Sequence, residues 1–157
     1  MRREEKIVFE VFDQEENIPG KLKDLFKEAL KAAETAYAPY SQFKVGCSVL
    51  LESGEIILGN NQENGAYPSG LCAERVALFS ALSTHPGKKI AGVAIACLPA
   101  EGIEADPSPC GSCRQIMIEA EQRNGSPVPL VFGGKKGPFF HFSSISALLP
   151  LPFRLKA

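Results

Sequence analysis

Apolar and polar positions follow two different periods along this chain, and the switches between them divide it into short elements. Lys6-Ile7-Val8-Phe9-Glu10-Val11-Phe12 alternates loosely and is β-rich, which predicts a strand. Pro19-Gly20 separates it from the next element. Leu22, Leu25, Phe26, Ala29, Ala33 and Ala36 then recur at helical spacing, predicting an amphipathic helix from Lys21 to about Tyr37. Ala38-Pro39-Tyr40-Ser41 ends it, because the residue before a proline is pushed out of helical geometry. Lys44 to Leu51 and Glu55 to Gly59 read as two strands of a hairpin turning at Glu52-Ser53-Gly54. Asn60 to Gly70 is polar and turn-rich, a loop delivered to the mouth of a site. Cys72 to about Thr84 predicts a helix that is apolar on nearly every face (Val76, Ala77, Leu78, Phe79, Ala81, Leu82) and therefore buried on several sides. Ile90 to Cys97 is a continuous apolar run, as in a central strand. Cys110 to Gln122 predicts another helix, with strands over Pro129 to Phe132 and Phe139 to Phe142 and a helical turn near Ser144 to Leu149. Strands and helices alternate through the middle. The expected fold class is α/β, a three-layer α/β/α sandwich with a central mixed sheet of about five strands.

Composition narrows the function. At 157 residues, with 45% hydrophobic and 22% charged residues, the chain has the make-up of one globular domain with a real core. A formal net charge of -1 gives no basic field, so nucleic acid is not an expected partner. No apolar stretch approaches a membrane span, and Met1-Arg2-Arg3-Glu4-Glu5 runs into a charged strand instead of a leader, so a soluble cytoplasmic protein with no membrane partner is expected. Five cysteines is an odd number that favours metal ligation and buried thiols over disulfides.

Three of those cysteines carry chemistry. Cys110 and Cys113 lie three apart at the start of one predicted helix, and Cys72 begins another. Zinc takes four ligands, and a catalytic site leaves one position to water. Three thiolates fill three positions, and no further Cys or His lies in step to close the fourth. Glu74, two residues from Cys72, is then free to act as a proton-transferring base beside activated water. Alone, it would read as a helix-start carboxylate favourable to the dipole. Zinc with three thiolates is formally anionic, which weakens its hold on water's electrons. The amides of two helix N-termini offset this, and so does Arg75, embedded in an apolar helix where an ordinary surface ion pair is a poorer reading. Cys47 and Cys97 sit in apolar strands without spaced partners and read as core thiols. His85 and His141 read as structural.

With those residues in view, the sequence resembles the small, single-domain, zinc-dependent cytidine deaminases. The matching stretches are Ala38 to Gly46, Asn61-Gln62-Glu63-Asn64, Tyr67 to Arg75, and Pro109 to Gln115, with Leu148-Leu149-Pro150 and Phe153 resembling the C-terminal end. The resemblance spans about Leu22 to Phe153. It implies hydrolysis of cytidine or 2′-deoxycytidine to uridine or deoxyuridine and ammonia, with one Zn²⁺ held by Cys72, Cys110 and Cys113 and Glu74 as proton shuttle. It implies Asn61 and Glu63 at the ribose 3′-hydroxyl, Phe43 against the pyrimidine, and the Ala73 N–H as a donor to the base. It further implies a homotetramer in which Tyr67 lies near a subunit contact and Phe153 reaches a neighbour's site. Residues 1–20 have no counterpart in the family core and are expected to be an added strand or interface arm beside a catalytic domain at 21–157. Val76 stands where Thr is frequent in the family, and Gly65 where Ala is.

Three other readings compete. Blasticidin-type deaminases share the cysteine motifs, but Arg75 and the Asn61 to Asn64 set favour the nucleoside enzyme. Polynucleotide deaminases carry His in place of Cys72 and need basic surface. A zinc-stapled, non-enzymatic module would want a fourth closing ligand and leaves Glu74, Asn61 and Glu63 unexplained.

Overall fold

The computed structural model describes residues 1–103 and 106–155, so the last two positions of the expected 21–157 domain lie outside the described residues. Six strands form one mixed sheet: β1 (Glu10–Phe12), β2 (Phe43–Leu51), β3 (Ile56–Asn60), β4 (Ile90–Pro99), β5 (Leu130–Gly134) and β6 (Phe139–Phe142). Their order across the sheet is β1-β6-β5-β4-β2-β3. Only β4 and β5 run parallel, with Val93 opposite Leu130; every other pair is antiparallel. The extra strand over the expected five is β1, which starts at Glu10 and not at Lys6. Its partner β6 is only four residues long, so a longer strand has nothing to pair with. Phe9, just before β1, instead stacks on Phe142 with ring centroids 5.2 Å apart.

Three helices cover the sheet: α1 (Gly20–Glu34), α2 (Ala73–Thr84) and α3 (Gly111–Asn124). Side chains alternate across a strand, and β4 uses that alternation fully. Ala94 and Ala96 join Leu22, Leu25, Phe26 and Ala29 of α1 on one face. Val93 and Ile95 join Ala77 and Leu78 of α2 and Met117 and Ile118 of α3 on the other. Hence β4 is buried on both faces and reads as a continuous apolar run. α1 ends three residues short of Tyr37, because the Tyr37 N–H leaves the helix to donate to the Asn61 carbonyl at 3.1 Å.

Two glycines let the layers close up. A Cβ on Gly46 would stand 1.9 Å from the Ala29 carbonyl oxygen of α1, and one on Gly59 would stand 2.4 Å from the Ala77 nitrogen of α2. Both neighbours are backbone, which has little freedom to give way. Ser48, wholly buried, adds a polar tie by donating to the Leu25 carbonyl at 2.6 Å.

α2 departs from expectation. Ala77, Leu78 and Ala81 are buried, but Phe79 is 48% exposed and Val76 and Leu82 are only partly covered. One apolar face of this helix has no cover within the chain. No described helix is long and apolar enough to cross a membrane.

Candidate active site and metal centre

The site is built where α2 and α3 begin. Cys72 and Cys110 are the residues immediately before the two helices, and neither helix receives a side-chain cap there. Amides of a helix's first turn have no partner within the helix and carry its positive dipole end. Those groups are therefore free to face anionic sulfur. The sulfurs of Cys72, Cys110 and Cys113 all lie within 4.8 Å of one another. Tetrahedral zinc with bonds of about 2.3 Å sets its sulfur ligands ~3.8 Å apart, so the cluster needs only a small contraction to close on a metal.

Electrostatics point the same way. Hydrogen bonding from Cys113 is the largest force lowering the Cys72 thiol, to about 5, with the Arg75 guanidinium beside it pulling in the same direction. Cys113, as the donor in that pair and buried, is pushed the other way. Burial is the main force raising the Glu74 carboxyl above the ordinary carboxylate range, and the neighbouring Cys72 adds to it. Three thiols within 4.8 Å of one another, ranging from the exposed Cys110 to the buried Cys113, and a buried carboxyl beside them cannot all shed their protons against each other. A divalent cation removes that conflict, so the donor set fits zinc.

Arg75 makes no carboxylate pair among the described residues. Its Nη2 donates to the Gly70 carbonyl at 3.2 Å, and its Nε is buried without a hydrogen-bond partner. That arrangement is costly for a cation unless nearby negative sulfur offsets it.

A cavity of about 480 Å³ opens beside Cys72, with Asn61, Glu63, Tyr67 and Arg75 among its walls. Its size suits a small ligand. Backbone pairing holds the walls in place: Gln62 exchanges both hydrogen bonds with Leu71, and the Glu63 N–H donates to the Tyr37 carbonyl. Asn61 completes the β2 edge, its Oδ1 accepting from the Val45 N–H at 2.8 Å and its Nδ2 donating to the Phe43 carbonyl at 2.9 Å. Glu63 Oε2 accepts from the Tyr40 and Ser41 N–H groups at 2.9 and 3.2 Å. Burial alone would raise the Glu63 carboxyl, but those hydrogen bonds outweigh it and keep the group ionised. One Nδ2 hydrogen of Asn61 and Oε1 of Glu63 remain for a ligand.

Glu74 is 4% exposed and Ala73 is fully buried, behind the cavity and not in its wall. Phe43 is partly buried and meets the site through its carbonyl. Tyr67 is exposed at the mouth, edge-on to Tyr40 at 5.8 Å. Phe153 is 71% exposed and does not line the cavity. Cys47 and Cys97 are buried in the core, and burial raises both thiols, that of Cys97 to about 12. His85 and His141 pair with Glu55 and Glu10 at 3.2 and 2.7 Å, away from the cysteines' cavity.

One residue that positions the metal loop was missed by sequence reasoning. Arg114 Nε donates to the Pro109 carbonyl at 2.8 Å, Nη2 to Ser108 Oγ at 2.5 Å and Nη1 to the Leu148 carbonyl at 2.9 Å. It fixes the approach to Cys110 against the chain's C-terminal part. Its adjacency to Cys113 within the matching stretch Pro109 to Gln115 was the available signal.

Comparison with known proteins agrees with this geometry. Residues 19–125 match the family described as the cytidine and deoxycytidylate deaminase zinc-binding region. A cytidine deaminase of Sporosarcina psychrophila is 41% identical over 134 residues, covering 84% of this chain and 90% of the relative. The chain belongs to the cytidine deaminase family. Another member, from Halalkalibacterium halodurans, is 43% identical over 95 residues, or 60% of this chain and 68% of that one. The crystal structure of cytidine deaminase from Burkholderia pseudomallei superposes with a TM-score of 0.71 at 38% identity, covering 83% of this chain and 97% of that one. That from Mycobacterium tuberculosis gives 0.64 at 31% identity, covering 87% and 100%. The three-layer arrangement described above is thus the cytidine deaminase fold.

Proposed function

We propose that this chain is a cytidine deaminase that hydrolyses cytidine and 2′-deoxycytidine to uridine and deoxyuridine with release of ammonia, in pyrimidine salvage. The observation that carries the reading is a buried carboxyl, Glu74, set two residues from Cys72 in a three-sulfur cluster. In this reading Cys72, Cys110 and Cys113 hold one Zn²⁺ per chain. When bound, zinc supplies the Lewis acidity that makes water nucleophilic near neutral pH. Glu74 would take one proton of the attacking water and give it to N3, where it stays in the product, and would then carry the water's second proton from the new C4 hydroxyl to the departing amine. Its raised affinity for protons suits a group that must both accept and release one. Asn61 and Glu63 hold the 3′-hydroxyl through their remaining donor and acceptor. The Ala73 N–H orients the base and Phe43 packs on it.

The site is read as complete only in a homotetramer, with Tyr67 near the contact and Phe153 entering a neighbour's cavity. The uncovered apolar face of α2 and the exposed ring of Phe153 support this. Residues 1–20 are read as an addition to the catalytic domain at 21–157, an extra strand or an interface arm, and the pairing of β1 with β6 supports the strand. A cytoplasmic location suits five free cysteines. With a net charge of -1, free nucleosides and not polynucleotide strands are the expected substrates.

The deciding experiment offers zinc-loaded protein cytidine, deoxycytidine, CMP and blasticidin S in parallel and follows the cytosine absorbance. Turnover of the two nucleosides alone supports the proposal. Activity on blasticidin S alone moves the chain to the antibiotic deaminases. Inactivity on all four, with one zinc per chain bound, overturns the proposal and revives the structural-zinc reading or a longer polynucleotide substrate.

A further inference from the structure

We infer that Gln115 is a positioning residue whose amide holds the peptide of Phe153 so that its ring is offered to a neighbouring subunit's site. The inference rests on the proposed role of Phe153 in completing a neighbour's cavity. Gln115 lies two residues beyond Cys113, in α3. Its Nε2 donates to the Phe153 carbonyl at 2.9 Å, and its Oε1 accepts from the Phe153 N–H at 3.0 Å. One side-chain amide thus pairs with both polar groups of one residue, as a neighbouring strand would. Fixing the N–H and C=O on either side of the Phe153 Cα fixes the direction in which its side chain leaves.

The rest of the tail has little else to hold it. Arg114 grips the Leu148 carbonyl at its base. Beyond that point, the two Gln115 bonds are the only hydrogen bonds reaching residues 149–155 among the described residues. Leu151 is 93% exposed and takes a left-handed φ of 52°, so the chain turns there with no side-chain anchor. The Phe153 ring is not packed on its own core, so its direction depends on its backbone. That backbone depends on Gln115. Because Gln115 shares the start of α3 with Cys110 and Cys113, two of the three cysteines of the cluster, the arm is registered against the metal centre it serves.

The chain contains no tryptophan, so Phe153→Trp introduces a single indole reporter. Its anisotropy and emission maximum would be read in the zinc-loaded assembled protein, with Gln115 intact, with Gln115→Ala, and with Gln115→Glu, which keeps the acceptor and loses the donor. Gln115→Ala is expected to lower the anisotropy and red-shift the emission, with Gln115→Glu between the two. In the chain with Phe153 intact, Gln115→Ala should raise KM for cytidine about fivefold, as lost ground-state positioning does, with kcat and zinc content unchanged. An unchanged indole signal overturns the inference, as does a loss of kcat that tracks a loss of zinc. Phe153→Ala separates the two levels of failure. If it leaves KM unchanged, the assignment of Phe153 to a neighbour's site falls. If it raises KM and Gln115→Ala does not, Gln115 is not what positions it.

Discussion

Glu74 is the residue proposed to move the proton, and its surroundings specify how that role would fail. It sits in the first turn of α2, is 4% exposed, and has burial as the main force on its carboxyl. Gln keeps the shape and removes the ability to cycle a proton. Glu74→Gln is expected to bind nucleoside and zinc normally while kcat falls about a thousandfold, the range that a positioned general base supplies. Retained turnover in a zinc-analysed sample would point to another proton shuttle. Arg75 is proposed to act one step further out, by drawing charge from the sulfur of Cys72, whose thiol it helps to lower. Arg75→Gln should keep zinc and lower kcat about tenfold, in line with the loss of a group that tunes a metal's ligands. Unchanged kinetics would remove the charge-withdrawing role. The three-cysteine cluster was legible because Cys110 and Cys113 lie three apart and each of the two cysteine motifs opens a predicted helix. The ties of Arg114 to Leu148 and of Gln115 to Phe153 were not, because those partners lie 34 and 38 residues away.

At the level of elements, two contacts decide whether α2 and α3 present the site. Gly59 lets α2 rest directly on β3. Gly59→Ala would place a methyl 2.4 Å from the Ala77 nitrogen and 2.8 Å from the Ala73 carbonyl, so α2 must shift and carry Cys72 and Glu74 with it. A loss of about 1–3 kcal/mol in denaturant unfolding, together with lower zinc occupancy, is expected. Full stability and full zinc loading would mean that the helix has more freedom than this packing implies. At the far end of α3, the buried Glu121 ties the helix to the 3-10 turn Ile145–Leu148. It accepts from the Val128 N–H at 2.8 Å, the Ile145 N–H at 2.9 Å, the Ser146 N–H at 3.1 Å and the Ser144 hydroxyl at 2.8 Å, and also from the Ser146 hydroxyl. Burial pushes this carboxyl up, but the hydrogen bonds outweigh it and hold it below its ordinary value of 4.5. A depressed folded-state pKa means that the stabilisation is complete above the unfolded value and fades as pH falls through the folded one. Glu121→Gln should therefore cost about 1–3 kcal/mol at pH 7, and the gap in Tm between the two proteins should narrow below pH 4.5. A gap independent of pH would sink the ionised-carboxylate account. Hydrophobic period made most of these elements legible. Their ends were set by distant partners, as when Tyr37 left α1 for Asn61 and β6 limited β1. No local pattern shows Glu121 as a clasp, because its partners come from segments that meet it only in the folded chain.

For the whole molecule, the missing cover on α2 is the informative mismatch. The sequence predicted a helix buried on several sides, yet one chain buries only the side against the sheet and α3. Phe79 remains 48% exposed, flanked by the partly covered Val76 and Leu82 at helical spacing. The pattern was written for an environment larger than one chain, which a reading confined to the chain's own core cannot supply. If the homotetramer provides that environment, a cation on this face must be desolvated on assembly without a partner. Phe79→Lys points away from its own core, so each chain should still fold and still load one zinc. Light scattering should then find a mass below four chains, and kcat/KM should drop because each cavity lacks its neighbour's residues. Adding protein at high concentration should restore part of both, since assembly follows mass action. A variant that is monomeric, zinc-loaded and fully active would separate catalysis from assembly and remove Tyr67 and Phe153 from the site. A variant that stays tetrameric would place the subunit contact elsewhere and leave the apolar face of α2 without an explanation.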